Sequence, residues 1–169
     1  MMKKATVAEV TAMISPNPLM LVCTQKKNGR LNMAPVSFFM YVSFDPPMVS
    51  FAMMRESNTG ANFRRTQKAV IALSGISIKD AVMAYGSVSG SKVDKLEETP
   101  IPLAGMEGTD IQFPEDSKVA LAVTLERTVV AGDHYLYTCR IDHMVADEER
   151  EGLFAWNGYS LAAPATVKE

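Results

Sequence analysis

The segment formed by residues 31–51 constrains the fold of this chain more than any other part of the sequence. Two runs rich in β-branched and aromatic residues flank an Asp-Pro-Pro sequence at 45–47, and such runs are typical of β-strands. Proline sets its own φ and has no N–H for a sheet ladder, so the segment predicts two strands joined at a turn. Pro35, inside the first run, predicts an edge strand or a bulge. Backbone groups at such a place are free to bind a flat apolar ligand with polar edges.

The remaining patterns predict a protein built mainly from β-strands. A capping-box pattern from Thr6 to Glu9 opens a short helix, and the Asn-Gly pair at 28–29 predicts a tight hairpin. Further strands are expected at 19–24, 69–73, 119–130 and 135–145, helices at 58–66 and 77–85, and a hairpin at 132–133. The polar composition of residues 86–114 predicts a long irregular segment with one short helix near 93–97. The expected fold is a small antiparallel β-barrel with peripheral helices.

Length and composition fit one domain over residues 1–169, with 47% hydrophobic and 21% charged residues. The net charge is -2 and the basic residues are scattered among acids, so no nucleic-acid partner is predicted. The apolar runs have strand length and the N-terminus carries charges, so neither a membrane span nor a signal peptide is predicted and the expected location is the cytoplasm. Cys23 and Cys139 lie in apolar runs and are expected to be reduced, buried thiols.

Several common catalytic machineries leave no signature in this chain. It contains no GxGxxG, GxxxxGKS/T, HExxH or GxSxG sequence. His134 and His143 are the only histidines, and no Cys or His pair has zinc spacing. A Ser-His-acid triad assembled only by the fold would leave no local pattern, so the sequence neither indicates nor excludes one.

A polar cluster follows the second strand of the opening segment. Residues 55–62 combine one guanidinium, two hydroxyls and two amides with a glycine at a predicted helix start. Free N–H groups and the helix dipole suit an anion there, and Arg55 could grip phosphate in a bidentate fork. The alternative is that Ser57 or Thr59 only caps the helix and Arg55 is a solvated charge. Likewise, residues 86–95 form either a second wall of an anion site or a flexible loop before a capped helix.

Taken together, these pieces resemble the flavin reductase-like proteins with an FMN-binding split β-barrel, a family that includes flavoredoxins and NAD(P)H:flavin oxidoreductases. The resemblance rests on residues 28–39, 43–47 and 55–62, on 89–90 with 93–96, and on the strand pair containing Gly-Asp-His at 132–134. The pieces occur in the family's order. Two positions depart from the family's pattern, because the loop at 89–92 reads Ser-Gly-Ser-Lys and Thr138 stands where many members have glycine.

The resemblance implies a homodimer with FMN near the subunit interface. The implied cofactor residues are Met33, Ala34, Pro35, Val36, Ser37 and Phe38 along the ring, Arg55, Ser57, Thr59 and Asn62 at the ribityl phosphate, and Ser89 with Lys92 or Lys95 at the phosphate, from the same or the other subunit. Phe38, Trp156 and Tyr159 are candidates for the stacking face, with core or interface packing as the alternative. His134 is either a catalytic residue at the nicotinamide or flavin, or a plain strand residue at a hairpin end.

The implied activity is that of an oxidoreductase in which NADH or NADPH reduces bound FMN. Electrons would then pass to a partner, a metal or oxygen. The flavin carries the chemistry of hydride transfer, which explains why no acid–base pair is conspicuous in the sequence. Two other functions fit the same residues: a flavoredoxin-like electron carrier that a protein reduces, and a non-catalytic FMN-binding protein.

Overall fold

The computed structural model of the chain describes residues 1–165 and consists mainly of antiparallel β-strands. In chain order the elements are α1 (Val7–Met13), β1 (Asn17–Pro18), β2 (Met20–Gln25), β3 (Leu31–Val36), β4 (Phe39–Phe44), β5 (Pro47–Met54), α2 (Asn58–Thr66), β6 (Lys68–Ser74), α3 (Lys79–Ser87), α4 (Lys95–Glu98), β7 (Leu103–Met106), β8 (Thr109–Pro114), β9 (Ser117–Ala131), β10 (His134–Ala146), β11 (Leu153–Trp156) and β12 (Leu161–Pro164). Short 3-10 turns occur at Ile76–Ile78 and Asn157–Tyr159.

A seven-stranded antiparallel sheet forms the body of the fold, in the order β3-β2-β6-β9-β10-β5-β4. The two longest strands, β9 and β10, are neighbours in this sheet and are joined by a tight turn in which Gly132 has a φ of 61°. A three-stranded sheet, β1-β11-β12, and the β7-β8 hairpin complete the β-structure. The predicted architecture, mainly β with antiparallel strands and peripheral helices, is confirmed.

Apolar side chains cover both faces of the seven-stranded sheet, because successive residues of a strand point in opposite directions. In β2, Leu21 belongs to a core cluster that includes Tyr85 of α3. Its neighbour Val22 belongs to a second cluster, which includes Phe51 and Tyr137. All five of these residues are at most 1% exposed. The sheet therefore holds α3 against one of its faces and packs β5 and β10 side chains on the other.

Residues 31–44 form two strands, whereas the sequence predicted one. β3 ends at Val36, the chain leaves the sheet at Ser37 and Phe38, and β4 then starts on the opposite edge of the same sheet. A hydrogen bond fixes the connection between β3 and β4: the carbonyl of Phe38 accepts from the amide of Ala52 in β5. Two other predictions for this segment are confirmed: Pro35 lies in an edge strand, which pairs only with β2, and a turn at 45–47 joins β4 to β5.

Residues 86–114 are more regular than the sequence predicted. The short helix of this stretch is α4, at Lys95–Glu98, and a hairpin formed by β7 and β8 follows it. Ile111 and Phe113 of β8 are 4% and 5% exposed and pack on the core, while Gly108 takes the turn with a φ of 86°. The period-2 alternation of these two residues was a strand signal. It was outweighed by the glycine and proline content of the stretch.

Several local predictions are confirmed. Thr6 and Glu9 form both hydrogen bonds of a capping box at α1, and Ser57 caps α2. Cys23 and Cys139 are free, buried thiols. Among residues 1–165, none of the helices combines the length and the apolar character that a membrane crossing requires.

Candidate functional site

A cavity of about 910 Å³ opens where the chain leaves edge strand β3. Its walls come from the end of β3 with Ser37 and Phe38, the end of β5 with the first turn of α2, the end of α3 with the following loop, and the segment around Tyr159. Helix α1 adds Thr11, and its C-cap residue adds Ile14. A cavity of this size, assembled from several elements, suits a cofactor-sized ligand.

Apolar side chains make up much of the lining, and an edge strand backs them. They are Ile14, Ala34, Pro35, Val36, Phe38, Ala52, Met53, Met54, Met83, Val88 and Ala155. Because β3 pairs with β2 on one side only, its outward N–H and C=O groups have no strand partner. This wall can receive a flat apolar group and still offer it hydrogen bonds from the backbone.

The polar part of the lining comes from the first turn of α2 and the loop after α3. Ser57 Oγ accepts a hydrogen bond from the amide of Gly60 at 3.1 Å. Thr59 is 2% exposed, and its Oγ1 accepts a hydrogen bond from Nδ2 of Asn32 at 2.7 Å. Ser89 lines the cavity from the loop. Hydroxyl groups beside a helix N-terminus are suited to an anion.

Lys95 brings a buried positive charge to the same cavity. It is 5% exposed, and its Nζ donates to the carbonyl of Met33 at 2.8 Å and to the carbonyl of Tyr85. Desolvation lowers the pKa of Lys95 to about 8, and the positive charge of Lys26 acts in the same direction. Within residues 1–165 no carboxylate pairs with Lys95, and the neighbouring Asp94 pairs with Lys26 and Arg30. An anion in the cavity would compensate this charge.

His134, at the start of β10, lines the cavity next to Phe38. The two ring centroids are 5.6 Å apart. His134 Nδ1–H donates to a carboxylate oxygen of Asp133 at 2.7 Å, and this hydrogen bond lowers the pKa of Asp133. This hydrogen bond engages Nδ1 and leaves Nε2 without a hydrogen bond within residues 1–165.

Tyr159 adds a further side chain to the cavity wall. It follows two residues with positive φ, Asn157 and Gly158, and its own φ is 92°, a region that costs a non-glycine residue about 1–3 kcal/mol. Burial raises the pKa of the Tyr159 phenol, and a hydrogen bond with Ser37 opposes this shift. The sequence had offered Tyr159 as a stacking residue, and the structure places it in the cavity wall.

The structure brings eleven of the predicted site residues into this cavity and leaves five outside its lining. The eleven are Ala34, Pro35, Val36, Ser37, Phe38, Ser57, Thr59, Ser89, Lys95, His134 and Tyr159. The five are Met33, Arg55, Asn62, Lys92 and Trp156. The two groups differ because the orientation of a helix, strand or loop in the fold decides which of its side chains point into the cavity. The spacing of residues in the sequence does not reveal that orientation.

Each of the five outer residues has other surroundings. Met33 is 1% exposed in the core, where its carbonyl accepts from Lys95. Arg55 is exposed and lies outside the lining of this cavity, with its guanidinium 5.6 Å from the ring centroid of Tyr135. Trp156 is half-buried, and its indole Nε1 has no hydrogen-bond partner within residues 1–165.

Asn62 and Lys92 line a second cavity, of about 660 Å³. This second cavity adjoins the first, because Asn58 and Gly90 belong to the lining of both. Its other charged residues are Lys26, Lys27, Arg30, Arg65, Asp94 and Glu97. The second cavity is therefore rich in cations, some of which pair with the two carboxylates.

Sequence reasoning missed the lining residues that come from distant elements. These are Thr11, Ile14 and Asn17 near the N-terminus, Ala52, Met53 and Met54 in β5, Met83 and Tyr85 in α3, and Ala155 and Gly158 near the C-terminus. None of them carries a local chemical pattern. Only the tertiary packing of these elements around the cavity could have identified them.

Comparison with known proteins decides the family. The family model described as "Flavin reductase like domain" matches residues 13–161. The chain belongs to this family. A curated relative, the uncharacterized protein YwrF of Bacillus subtilis strain 168, is 26% identical over 132 residues. That alignment covers 75% of this chain and 63% of the relative, so the chain spans less than two thirds of that protein's length.

Solved structures show that the fold is also that of flavin reductase-like proteins. An FMN-binding protein from Thermus thermophilus superposes with a TM-score of 0.83 at 19% identity, covering 100% of this chain and 97% of that chain. A flavoredoxin of Desulfovibrio vulgaris gives 0.84 at 16% identity, covering 99% and 96%. Component B of nitrilotriacetate monooxygenase from Bacillus cereus gives 0.83 at 18% identity, covering 100% and 98%. The split β-barrel expected from the sequence is thus confirmed.

Proposed function

We propose that this flavin reductase-like protein binds FMN in the larger cavity and reduces it with NADH or NADPH. The observation that carries the proposal is the two-part lining of one cavity. An apolar part is backed by the free edge of β3, and a polar part combines the start of α2 with the buried charge of Lys95. Family membership supports the proposal, as does the likeness in fold to proteins described as FMN-binding and as flavoredoxin.

The residues present fit FMN in shape and in charge. The isoalloxazine ring suits the wall formed by Pro35 to Phe38, where the backbone of an edge strand can bond its polar rim. The phosphate suits the hydroxyls of Ser57 and Thr59, and Lys95 lines the same cavity as a cation with no carboxylate partner within residues 1–165. A charge-assisted hydrogen bond is roughly twice as strong as a neutral one.

The chain's own contribution to the reaction is orientation and proton handling. When bound, the flavin supplies the hydride acceptor and the onward path for electrons. The edge of β3 orients the flavin ring. Holding the nicotinamide and the flavin ring in a reactive geometry provides most of the rate acceleration. His134, fixed by Asp133, holds a proton-exchanging nitrogen at the wall.

The proposal includes a homodimer. Met40, Tyr41 and Phe44 on edge strand β4 are 56%, 53% and 93% exposed. Phe38 is 54% exposed and also lines the cavity. An apolar edge strand left open to water invites pairing or aggregation, so a second copy is the expected cover. Such a copy would also enclose the cavity beside Phe38.

The test is to purify the protein with excess FMN and record the bound visible spectrum. Bound flavin is then mixed with NADH or NADPH without oxygen, and loss of flavin absorbance is followed. We expect tight binding and reduction by at least one nucleotide. Bound flavin that responds only to a reduced protein donor would favour the electron-carrier alternative, and flavin that resists every physiological donor would favour a non-catalytic role. Failure to bind FMN at all would overturn the proposal.

A further inference from the structure

Asn32 is a buried amide that stands behind the polar part of the cavity. It lies on β3, is 1% exposed, and does not itself line the cavity. Its Nδ2 donates to Oγ1 of Thr59 at 2.7 Å. This hydrogen bond ties the edge strand to the first turn of α2, and the sequence analysis gave Asn32 no role of its own.

The hydrogen bond from Asn32 determines what the Thr59 hydroxyl can do. A hydroxyl has one proton and two acceptor lone pairs. Because Thr59 Oγ1 accepts from Asn32, its own proton must point elsewhere. Within residues 1–165, Thr59 Oγ1 forms no second hydrogen bond, although Thr59 is 2% exposed. Since Thr59 lines the cavity, its hydroxyl is prepared to donate to an anion there.

Gly90 leaves space for the same amide on its other side. A Cβ built on Gly90 would lie 1.8 Å from Oδ1 of Asn32. That Oδ1 is buried and has no hydrogen-bond partner within residues 1–165. The Asn32 amide therefore fills space that a side chain at position 90 would take, while its Nδ2 donates to Thr59 of helix α2.

We propose that Asn32 is a positioning residue for the flavin phosphate, which it serves by directing the Thr59 proton into the cavity. The inference rests on the proposed function. Asn32 does not touch the ligand and acts only through Thr59. Its contribution therefore concerns the phosphate and leaves the ring unaffected, so it favours FMN over riboflavin, which has the same ring and ribityl chain without phosphate.

The readout is the ratio of two dissociation constants, Kd for riboflavin divided by Kd for FMN, measured by flavin fluorescence quenching. Asn32→Leu keeps the branching at Cγ and the number of heavy atoms of the side chain and removes the donor. We expect the ratio to fall about fivefold in Asn32→Leu, as for loss of one oriented hydrogen bond. Thr59→Val should lower the ratio at least as much, and the double variant should match Thr59→Val alone, since Asn32 acts through the Thr59 hydroxyl.

A purely structural role for Asn32 would weaken both flavins equally and leave the ratio unchanged, and this result would overturn the inference. An additive double variant would overturn it as well. If Asn32→Leu does not fold, Asn32→Ala, which also lacks the donor, is measured in its place. Wild-type protein that binds neither flavin would refute the proposed function itself. Wild type that prefers FMN, together with unaltered ratios in the Asn32 variants, would refute the inference alone.

Discussion

Lys95 makes the cavity sensitive to pH at the scale of a single residue. Its pKa is lowered to about 8 because its ammonium is buried. Below that pH the group is charged and attracts a phosphate; as the pH rises through it, the charge and the attraction are lost. We predict that FMN affinity falls about tenfold between about pH 7 and about pH 9.5, which is the order expected for one charged hydrogen bond. Kd measured across this range checks the prediction.

The control for this prediction is a second lysine in a different setting. Lys95→Met should bind FMN weakly and show a flat profile across the same range. Lys79→Met changes the net charge by the same amount on the exposed start of α3, and it should keep the wild-type profile. A pH dependence that survives in Lys95→Met would show that some other group causes it.

His134 offers a prediction about rate rather than affinity. Acid–base help from a positioned side chain contributes about a hundredfold or more. We predict that His134→Gln slows reduction of bound FMN by NAD(P)H by about this factor, with little change in Kd for FMN. Asp133→Asn keeps the imidazole and removes its charged partner, so a smaller loss is expected. If His134→Gln reduces FMN at the wild-type rate in stopped-flow experiments, His134 only packs against Phe38.

At the scale of elements, α1 can be loosened without unfolding the protein. It has no buried residue and depends on the Thr6–Glu9 capping box. Removal of the cap costs a helix about 1 kcal/mol. Thr6→Ala should therefore speed hydrogen exchange across α1, while the free energy of unfolding in urea changes by less than about 0.5 kcal/mol. A large global loss would mean that α1 supports the core.

The matched element is α2, because it has the same type of cap in a buried setting. Ser57 Oγ accepts from the amide of Gly60, and Thr59, Asn62 and Phe63 of this helix are buried. We predict that Ser57→Ala lowers the global free energy of unfolding by about 1 kcal/mol. Urea denaturation of the flavin-free protein measures it, and Thr6→Ala serves as the comparison. Equal effects of the two substitutions would contradict the assignment of α2 to the core.

At the scale of the whole molecule, the open edge of β4 predicts a dimer. Analytical ultracentrifugation of the wild type should give a mass of two chains. Tyr41→Asp places a charge on that apolar edge and should shift the mass towards one chain, because burial of an unpaired charge is costly. Val7→Asp is the control, since Val7 is 81% exposed on α1. Wild type that sediments as a monomer would refute the dimer.

Much of the fold was readable from local patterns. Caps marked the starts of α1 and α2, the Asn-Gly pair and Gly132 marked hairpins, and proline at 35 marked an edge. The break at Ser37 was not readable, because the same β-favouring residues continue on both sides of it. What divides β3 from β4 is the pairing of each run with a different strand, and pairing depends on the whole sheet.

By itself, the sequence determined the helices, the long strands, the buried thiols and the polar residue types near the cavity, since caps, turns and alternation act over a few neighbouring residues. Tertiary structure alone decided which side chains share the cavity. It placed Arg55 over Tyr135 and Lys95 beneath the edge strand, although both are cations in polar stretches of similar appearance. Burial and the direction of a side chain arise from packing between distant segments, and no local pattern encodes them.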